Sequence, residues 1–320
     1  REYDNKQFNN KFQLDKRRDE AFKRIPELKD LEDEMITLAA SSGRSAIFGD
    51  DTKLKDLKEA TSKLMDKQTL LLTNHGYPTD YLLPHYECNK CQDTGFIGND
   101  KCNCFKQAIA DLIYDASNIR QVLERENFQH FSFDYYSDDY IDESIGLSPR
   151  SNMQKIVALS KSFIKHFDKN HDNLLFMGNT GVGKTFLANC IAKELLDLGH
   201  TVIYLTSFRL FDILEKNKFG KNIDNAAIVA NQFDYILDCD LLIIDDLGTE
   251  LNNSFITSQL YLIINERLLR QKATLISTNL SLENLNTNYS ERVYSRIISS
   301  YTICRVFGED IRLHKAINNL

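Results

Sequence analysis

Residues 173–185 read Asn-Leu-Leu-Phe-Met-Gly-Asn-Thr-Gly-Val-Gly-Lys-Thr, a short apolar run that passes straight into Gly-x4-Gly-Lys-Thr. Behind it Phe186, Leu187, Cys190, Ile191 and Leu195 recur at helical spacing. The unit is strand, glycine-rich loop, helix, and such a unit grips phosphate. Gly178, Gly181 and Gly183 let successive backbone N–H groups curl around an anion in conformations that a Cβ obstructs. The helix aims its positive end at the same anion. Lys184 then reaches the β- and γ-phosphates of a nucleoside triphosphate, and the Thr185 hydroxyl ligates Mg²⁺. The predicted nucleotide contacts are the whole run Gly178, Asn179, Thr180, Gly181, Val182, Gly183, Lys184, Thr185 and Phe186.

From residue 149 onward apolar strands alternate with helical segments. Strands are expected at 173–177, 201–206, 240–245, 273–278 and 301–307, with helices near 150–168, 184–198, 254–270 and 291–299. Helical crossovers between strands mean a parallel sheet with helices on both faces, an α/β core. The run Leu241-Leu242-Ile243-Ile244-Asp245-Asp246 is a buried strand ending in two acids, at the end where open α/β sheets bind ligands. Asp245 is expected to hold Mg²⁺ through water, and Asp246 to orient or deprotonate the attacking water. Glu250 stands by for that second task. Asn279, after strand 273–278, is placed to sense a γ-phosphate. Arg292 and Arg296 share a helical face at i and i+4, and suit charge stabilisation on ATP held by a neighbouring subunit.

Upstream the chain reads as helical. Ile25, Leu28, Leu31, Met35 and Leu38 form an apolar stripe, with Pro26 in the first turn and a separate or kinked helix before it. Residues 41–53 read as a loop, followed by a helix with Leu54, Leu57, Ala60 and Leu64 on one face. Another helix is expected over 105–125, and the acidic, Tyr-rich stretch 134–143 reads as a solvated linker or entry to the next domain. The expected organisation is a helical domain at 1–120, a linker at 121–148 and a nucleotide-binding domain at 149–320.

Of the seven cysteines, Cys190, Cys239 and Cys304 lie singly in or beside apolar segments and read as core residues. Cys88-x2-Cys91-x10-Cys102-x-Cys104 is a different case: four thiolates close a tetrahedral structural Zn²⁺ site. An iron–sulfur cluster or a redox pair is the alternative, and His85 is read as a bystander. The net charge of −7 excludes a nucleic-acid binder that uses its whole surface, leaving a local patch such as Ser207-Phe208-Arg209 with Lys216, Lys218 and Lys221. No apolar run approaches the roughly 18 residues of a membrane span, and a cytoplasmic location is expected.

The motifs at 178–185, 245–250, 279, 292–296 and 312 resemble, in their order, those of the AAA+ ATPases, more narrowly the DnaC/IstB-like group that contains bacterial helicase loaders. The resemblance spans 120–320 and implies Asn279 as sensor 1, Arg296 as the arginine finger with Arg292 competing, and Arg312 of Asp-Ile-Arg as sensor 2. Asp-Asp-x-Gly-x-Glu at 245–250 is similar to the DnaI-like loaders. Only eight residues follow Arg312, so a minimal C-terminal lid is expected, as in that group. Pro84-His85-Tyr86 followed by Cys-x2-Cys-x-Asp-Thr-Gly resembles the N-terminal region of clostridial and phage DnaC-type proteins. The implied function is ATP-dependent loading of a DnaB-type hexameric replicative helicase onto single-stranded DNA. ATP, Mg²⁺ and Zn²⁺ are the implied cofactors, and the ATPase interfaces the implied route of self-association. In loaders a polar and an aromatic residue after the acidic strand touch DNA, and Asn253 and Phe255 stand near those positions. The alternatives are an IstB-like transposition helper, or a zinc-stabilised ATP-binding adaptor with little turnover.

Overall fold

The computed structural model describes residues 2–47, 51–114, 117–219, 233–250 and 253–318. The chain divides into two compact units, Arg1–Cys102 and Asn103–Leu320.

The first unit contains α1 (Glu2–Arg24), α2 (Glu27–Ile47) and α3 (Asp51–Asn74). Pro26 restricts the residue before it and separates α1 from α2, as expected. Ala21, Ile25, Leu28, Leu72 and Leu82 form the core of this unit, flanked by Phe22, Leu71, Tyr77 and Tyr81. The loop expected at 41–53 is largely helix: α2 continues to Ile47 and α3 starts at Asp51, while 48–50 lie outside the described residues. The Ser-Ser-Gly run has low helix propensity, but propensity is a weak prior that packing of α2 along α3 overrides. Beyond α3, β1 (Phe96–Ile97) and β2 (Asp100–Lys101) form a short antiparallel hairpin.

In the second unit the helix expected over 105–125 is two, α4 (Asn103–Tyr114) and α5 (Ser117–Arg125), with 115–116 outside the described residues. α6 (Pro149–Lys165) follows, its start fixed by Ser148, whose hydroxyl accepts from the Ser151 N–H at 3.1 Å. The sheet is five-stranded and parallel throughout: β3 (Leu174–Met177), β4 (Val202–Thr206), β5 (Leu241–Leu247), β6 (Ala273–Thr278) and β7 (Thr302–Arg305), in the order β4-β5-β6-β3-β7. Its helices are α7 (Lys184–Asp197), α8 (Ser207–Phe219), α9 (233–238), α10 (Ser254–Leu269), α11 (Leu282–Tyr289), α12 (Glu291–Ser300) and α13 (Ile311–Asn318).

Alternation along β5 divides the core. Leu242 and Ile244 face a layer with Leu210, Phe211, Leu260, Ile264 and Ile297, whereas Leu241 and Ile243 face one with Met153, Ile156, Leu187, Ile191 and Leu195. This buried, two-faced sheet bears out the α/β reading. The packing boundary falls after Cys102 instead of near 120, because α4 and α5 belong to the sheet: the Gln107 amide donates to Val202 O at 3.0 Å and accepts from Val202 N at 2.7 Å. That side chain closes a gap in the hydrogen-bonding edge of β4. The stretch read as a solvated linker is docked at its start. Phe133–Tyr135 form a 3₁₀ turn, and buried Tyr136 donates to Val182 O at 3.1 Å, while Asp134, residues 138–141 and Glu143 are exposed.

Candidate nucleotide site

The strand order makes the site. β3 lies between β6 and β7, and the chain leaves it to reach β4 at the far edge. The C-terminal ends of β3, β5 and β6 therefore open onto one crevice, where such sheets bind ligands. At Gly181 (φ 81°) and Gly183 (φ 98°) the backbone is left-handed, and a Cβ would strike the Asp310 carboxylate and the Tyr136 hydroxyl respectively. No side chain caps the first turn of α7, which leaves its amides for an anion.

Lys184 is buried, and its ammonium donates to Gly178 O and Asn179 O, each at 2.8 Å. Burial pushes its pKa down, opposed by the charges of Asp246 and Asp245. Among the described residues it has no ion pair, and a polyphosphate beside it would supply a counter-charge. The residues present thus fit a nucleotide. They also fit its Mg²⁺: the Thr185 hydroxyl donates to the Asp245 carboxylate, 3.3 Å from Oδ1 and 3.1 Å from Oδ2. The two oxygens that would hold the ion come from distant motifs and are in contact.

Asp245 is buried and held from both sides, by the Ser277 hydroxyl at Oδ1 and by the Tyr204 hydroxyl at Oδ2, the latter at 2.7 Å. The next residue breaks the ladder. Asp246 has φ 56°, the β5–β6 register shifts between Ile244 and Leu247, and the Asp246 N–H donates to Ser277 Oγ at 3.0 Å. This bulge turns two successive carboxylates to different environments, Asp245 buried and Asp246 exposed. Desolvation and the neighbouring Asp245 charge raise the Asp246 pKa, against the influence of Lys184 and Arg312.

Arg312 is exposed in the first turn of α13, yet its charge acts on both Lys184 and Asp246. Asn279 follows β6 directly, is exposed, and adjoins the glycine loop through the Gly178 N–H to Thr278 O bond of 3.2 Å. Glu250 is engaged elsewhere: it accepts from the Tyr289 hydroxyl and, at 3.0 Å, from Gly248 N. It therefore staples the loop after β5 to α11. Arg292 and Arg296 lie on the exposed face of α12, opposite buried Val293 and Ile297, and are absent from the charges acting on Lys184 and Asp246. Tyr204 and Tyr136 were not anticipated. The signal for Tyr204 was its parity, since a phenol two residues before Thr206 shares a face with the residue paired to Asp245.

For the basic patch, Phe208 is exposed, but Arg209 and Lys216 both pair with Asp212. Lys221 and the side chain of Lys218 lie outside the described residues. Asn253 caps α10, accepting from Ile256 N at 2.9 Å, and Phe255 packs against the core, so both have structural work.

The four clustered thiols lie within 4.8 Å of one another, and no disulfide joins them. Cys88 Sγ and Cys102 Sγ are 3.8 Å apart, the edge of a tetrahedron with metal–sulfur bonds of about 2.3 Å. The buried Asp93 carboxylate fixes this knuckle, accepting from Glu87 N, Cys88 N and Asn10 Nδ2 at 2.9, 2.8 and 2.7 Å. His85 turns to Asp80 instead, 3.3 Å from its carbonyl. The donor set fits a thiophilic metal. Among the described residues no helix is long and apolar enough to cross a membrane.

The sequence model of the IstB-like ATP binding protein family matches residues 143–317, more than half of the chain. A relative named replicative helicase loader DnaC, from Buchnera aphidicola subsp. Baizongia pistaciae, is 25% identical over 186 residues, 58% of this chain and 70% of its own length. Its namesake in Escherichia coli K12 is 27% identical over 155 residues, 48% of this chain and 62% of that protein. The crystal structure of a DnaC helicase loader superposes on 58% of this chain and 99% of its own, with TM-score 0.46 and 21% identity. The parallel sheet with helices on both faces, and the glycine loop between β3 and α7, make an α/β core of the P-loop kind. With the family pattern running from before α6 into α13 and taking in the glycine loop, the chain belongs to the IstB-like ATP-binding proteins.

Proposed function

We propose that the protein is an ATPase that loads a hexameric replicative helicase onto single-stranded DNA, with ATP as an assembly and release switch. The Thr185–Asp245 contact carries the ATP part, because it prepares a magnesium site between two separate motifs. The DnaC relatives carry the loader part by name. In this reading the glycine loop and Lys184 hold the phosphates, and the α7 amides neutralise their charge. Asp246 orients the lytic water, Asn279 reports the γ-phosphate, and Arg312 adds charge from α13. Thr185 and Asp245 would hold magnesium, which would offset the charge that develops on the phosphates. Arg296, with Arg292 as the competing residue, completes the site of the next subunit. Hydrolysis removes the bridging γ-phosphate and loosens that contact.

The test is an ATP-dependent complex with a hexameric replicative helicase, sized by light scattering. The wild-type chain is expected to form it with ATP and release it with ADP. Lys184→Ala is expected to lose it and to bind ATP about 100-fold more weakly by calorimetry. Complex formation with a transposase instead of the helicase would move the assignment to a transposition helper.

Zinc is the metal we assign to Cys88, Cys91, Cys102 and Cys104. About one equivalent per chain is expected by atomic emission, and Cys91→Ser should lower the content and the thermal stability of the first unit together. Visible absorption from an iron–sulfur cluster in anaerobically purified protein would refute zinc.

A further inference from the structure

The Asp245 carboxylate is gripped from both neighbouring strands. Register pairs Thr206 of β4 with Asp245, so Tyr204 is one alternation earlier on the same face; Ile244 pairs with Ile276, which sets Ser277 alongside from β6. All three lie on the side of the sheet covered by α7. The Tyr204 hydroxyl donates to Oδ2 at 2.7 Å and the Ser277 hydroxyl to Oδ1, while Thr185 Oγ1 lies within 3.3 Å of both oxygens. A carboxylate has about four acceptor sites. Two are taken by donors rooted in β-strands, and the remainder face the glycine loop.

We propose that Tyr204 is a positioning residue for the magnesium site: its phenol and the Ser277 hydroxyl lock the Asp245 carboxylate in the rotamer that meets Mg²⁺ and Thr185. The inference rests on the ATP reading above and adds to it a residue outside the phosphate loop and the acidic pair. Three features favour positioning over mere packing. The phenol ring sits in the layer formed with Leu187 and Ile191, so it is held independently of its hydroxyl. Its oxygen meets a charged acceptor, the stronger kind of hydrogen bond. The other carboxylate oxygen is held separately by the Ser277 hydroxyl, so two donors from opposite strands fix the carboxylate plane. Ser277 has a second task, accepting from the Asp246 N–H at 3.0 Å. One hydroxyl thus ties the orientation of the buried acid to the bulge that exposes its neighbour.

The experiment is calorimetric binding of a non-hydrolysable ATP analogue with and without Mg²⁺, to wild type, Tyr204→Phe and Ser277→Ala. Phenylalanine keeps the ring and removes only the donor. Tyr204→Phe is expected to bind the metal-free analogue as wild type does and to lose about tenfold of the affinity that Mg²⁺ adds. Ser277→Ala, acting on the other oxygen, should show the same split, and Mn²⁺ titration followed by electron paramagnetic resonance should report weaker metal uptake in both. An unchanged Mg²⁺ gain in Tyr204→Phe overturns the inference while leaving the ATP reading intact. So does an equal loss with and without metal, the mark of a packing role. A wild-type chain that binds no analogue under either condition overturns the ATP reading and the inference together.

Discussion

Replacing Arg296 by Ala is expected to lower ATP turnover by on the order of 10³ while leaving nucleotide affinity at its wild-type value. Within one chain the positive charges that act on the Asp246 carboxylate are Lys184 and Arg312, and Arg296 is not among them. It lies in solvent on α12, one turn from Arg292, with Val293 and Ile297 anchoring the opposite face in the core. In the proposed reading that exposed guanidinium completes the site of the next subunit. Turnover should therefore rise with protein concentration, and two dead variants should rescue each other. Arg296→Ala keeps Asp246 and lacks the finger; Asp246→Asn keeps the finger and lacks the acid. Mixed, they create interfaces at which one subunit supplies each part, so activity returns. Arg292→Ala tells which of the two arginines acts. Full turnover in both single variants, or no rescue on mixing, would remove the shared site from the account.

Legibility in the sequence followed the range of the interactions. The phosphate loop and the acidic strand could be read because their chemistry is local: glycines where a Cβ strikes neighbouring atoms, and Lys184 and Thr185 at fixed offsets. The strands could be read because a buried parallel sheet demands uninterrupted apolar runs such as 241–244. What escaped was set by partners far along the chain. Tyr136 belongs to an acidic stretch that reads as linker, and its burial follows from partners elsewhere in the chain, the Val182 carbonyl among them. Glu250 reads as a spare base until Tyr289, 39 positions later, occupies it. Tyr204 reads as one more strand aromatic until β4 is seen to lie beside β5. The extension of α2 through Ser41, Ser42 and Gly43 is a different failure, local propensity yielding to helix pairing.

Arg267 is the strongest case of this kind, and Arg267→Ala is expected to cost about 4 kcal/mol of stability. It stands near the end of α10 and is fully buried, with no carboxylate paired to it among the described residues. Carbonyls hold it instead. Nη1 donates to Ile236 O at 2.6 Å and Leu237 O at 3.2 Å, Nη2 to Ala273 O at 2.5 Å, and Nε to Thr274 Oγ1 at 3.0 Å. Ile236 and Leu237 close α9, whose C-terminal dipole favours a cation at that point. One side chain thereby fastens α9, α10 and the first residues of β6, just before β5 begins at Leu241. Alanine leaves those carbonyls unpaired in a dry core and opens a cavity beside Cys239, so both penalties fall together. Arg267→Met separates them, because it restores bulk without donors. If hydrogen bonding dominates, Met is nearly as damaging as Ala, and Arg267→Lys, with its single ammonium, recovers part of the loss. The denaturant midpoint and a melting temperature lower by roughly 10 °C provide the measure. A methionine variant as stable as wild type would mean that volume alone secures this junction, and that the charge buried beside β5 is dispensable.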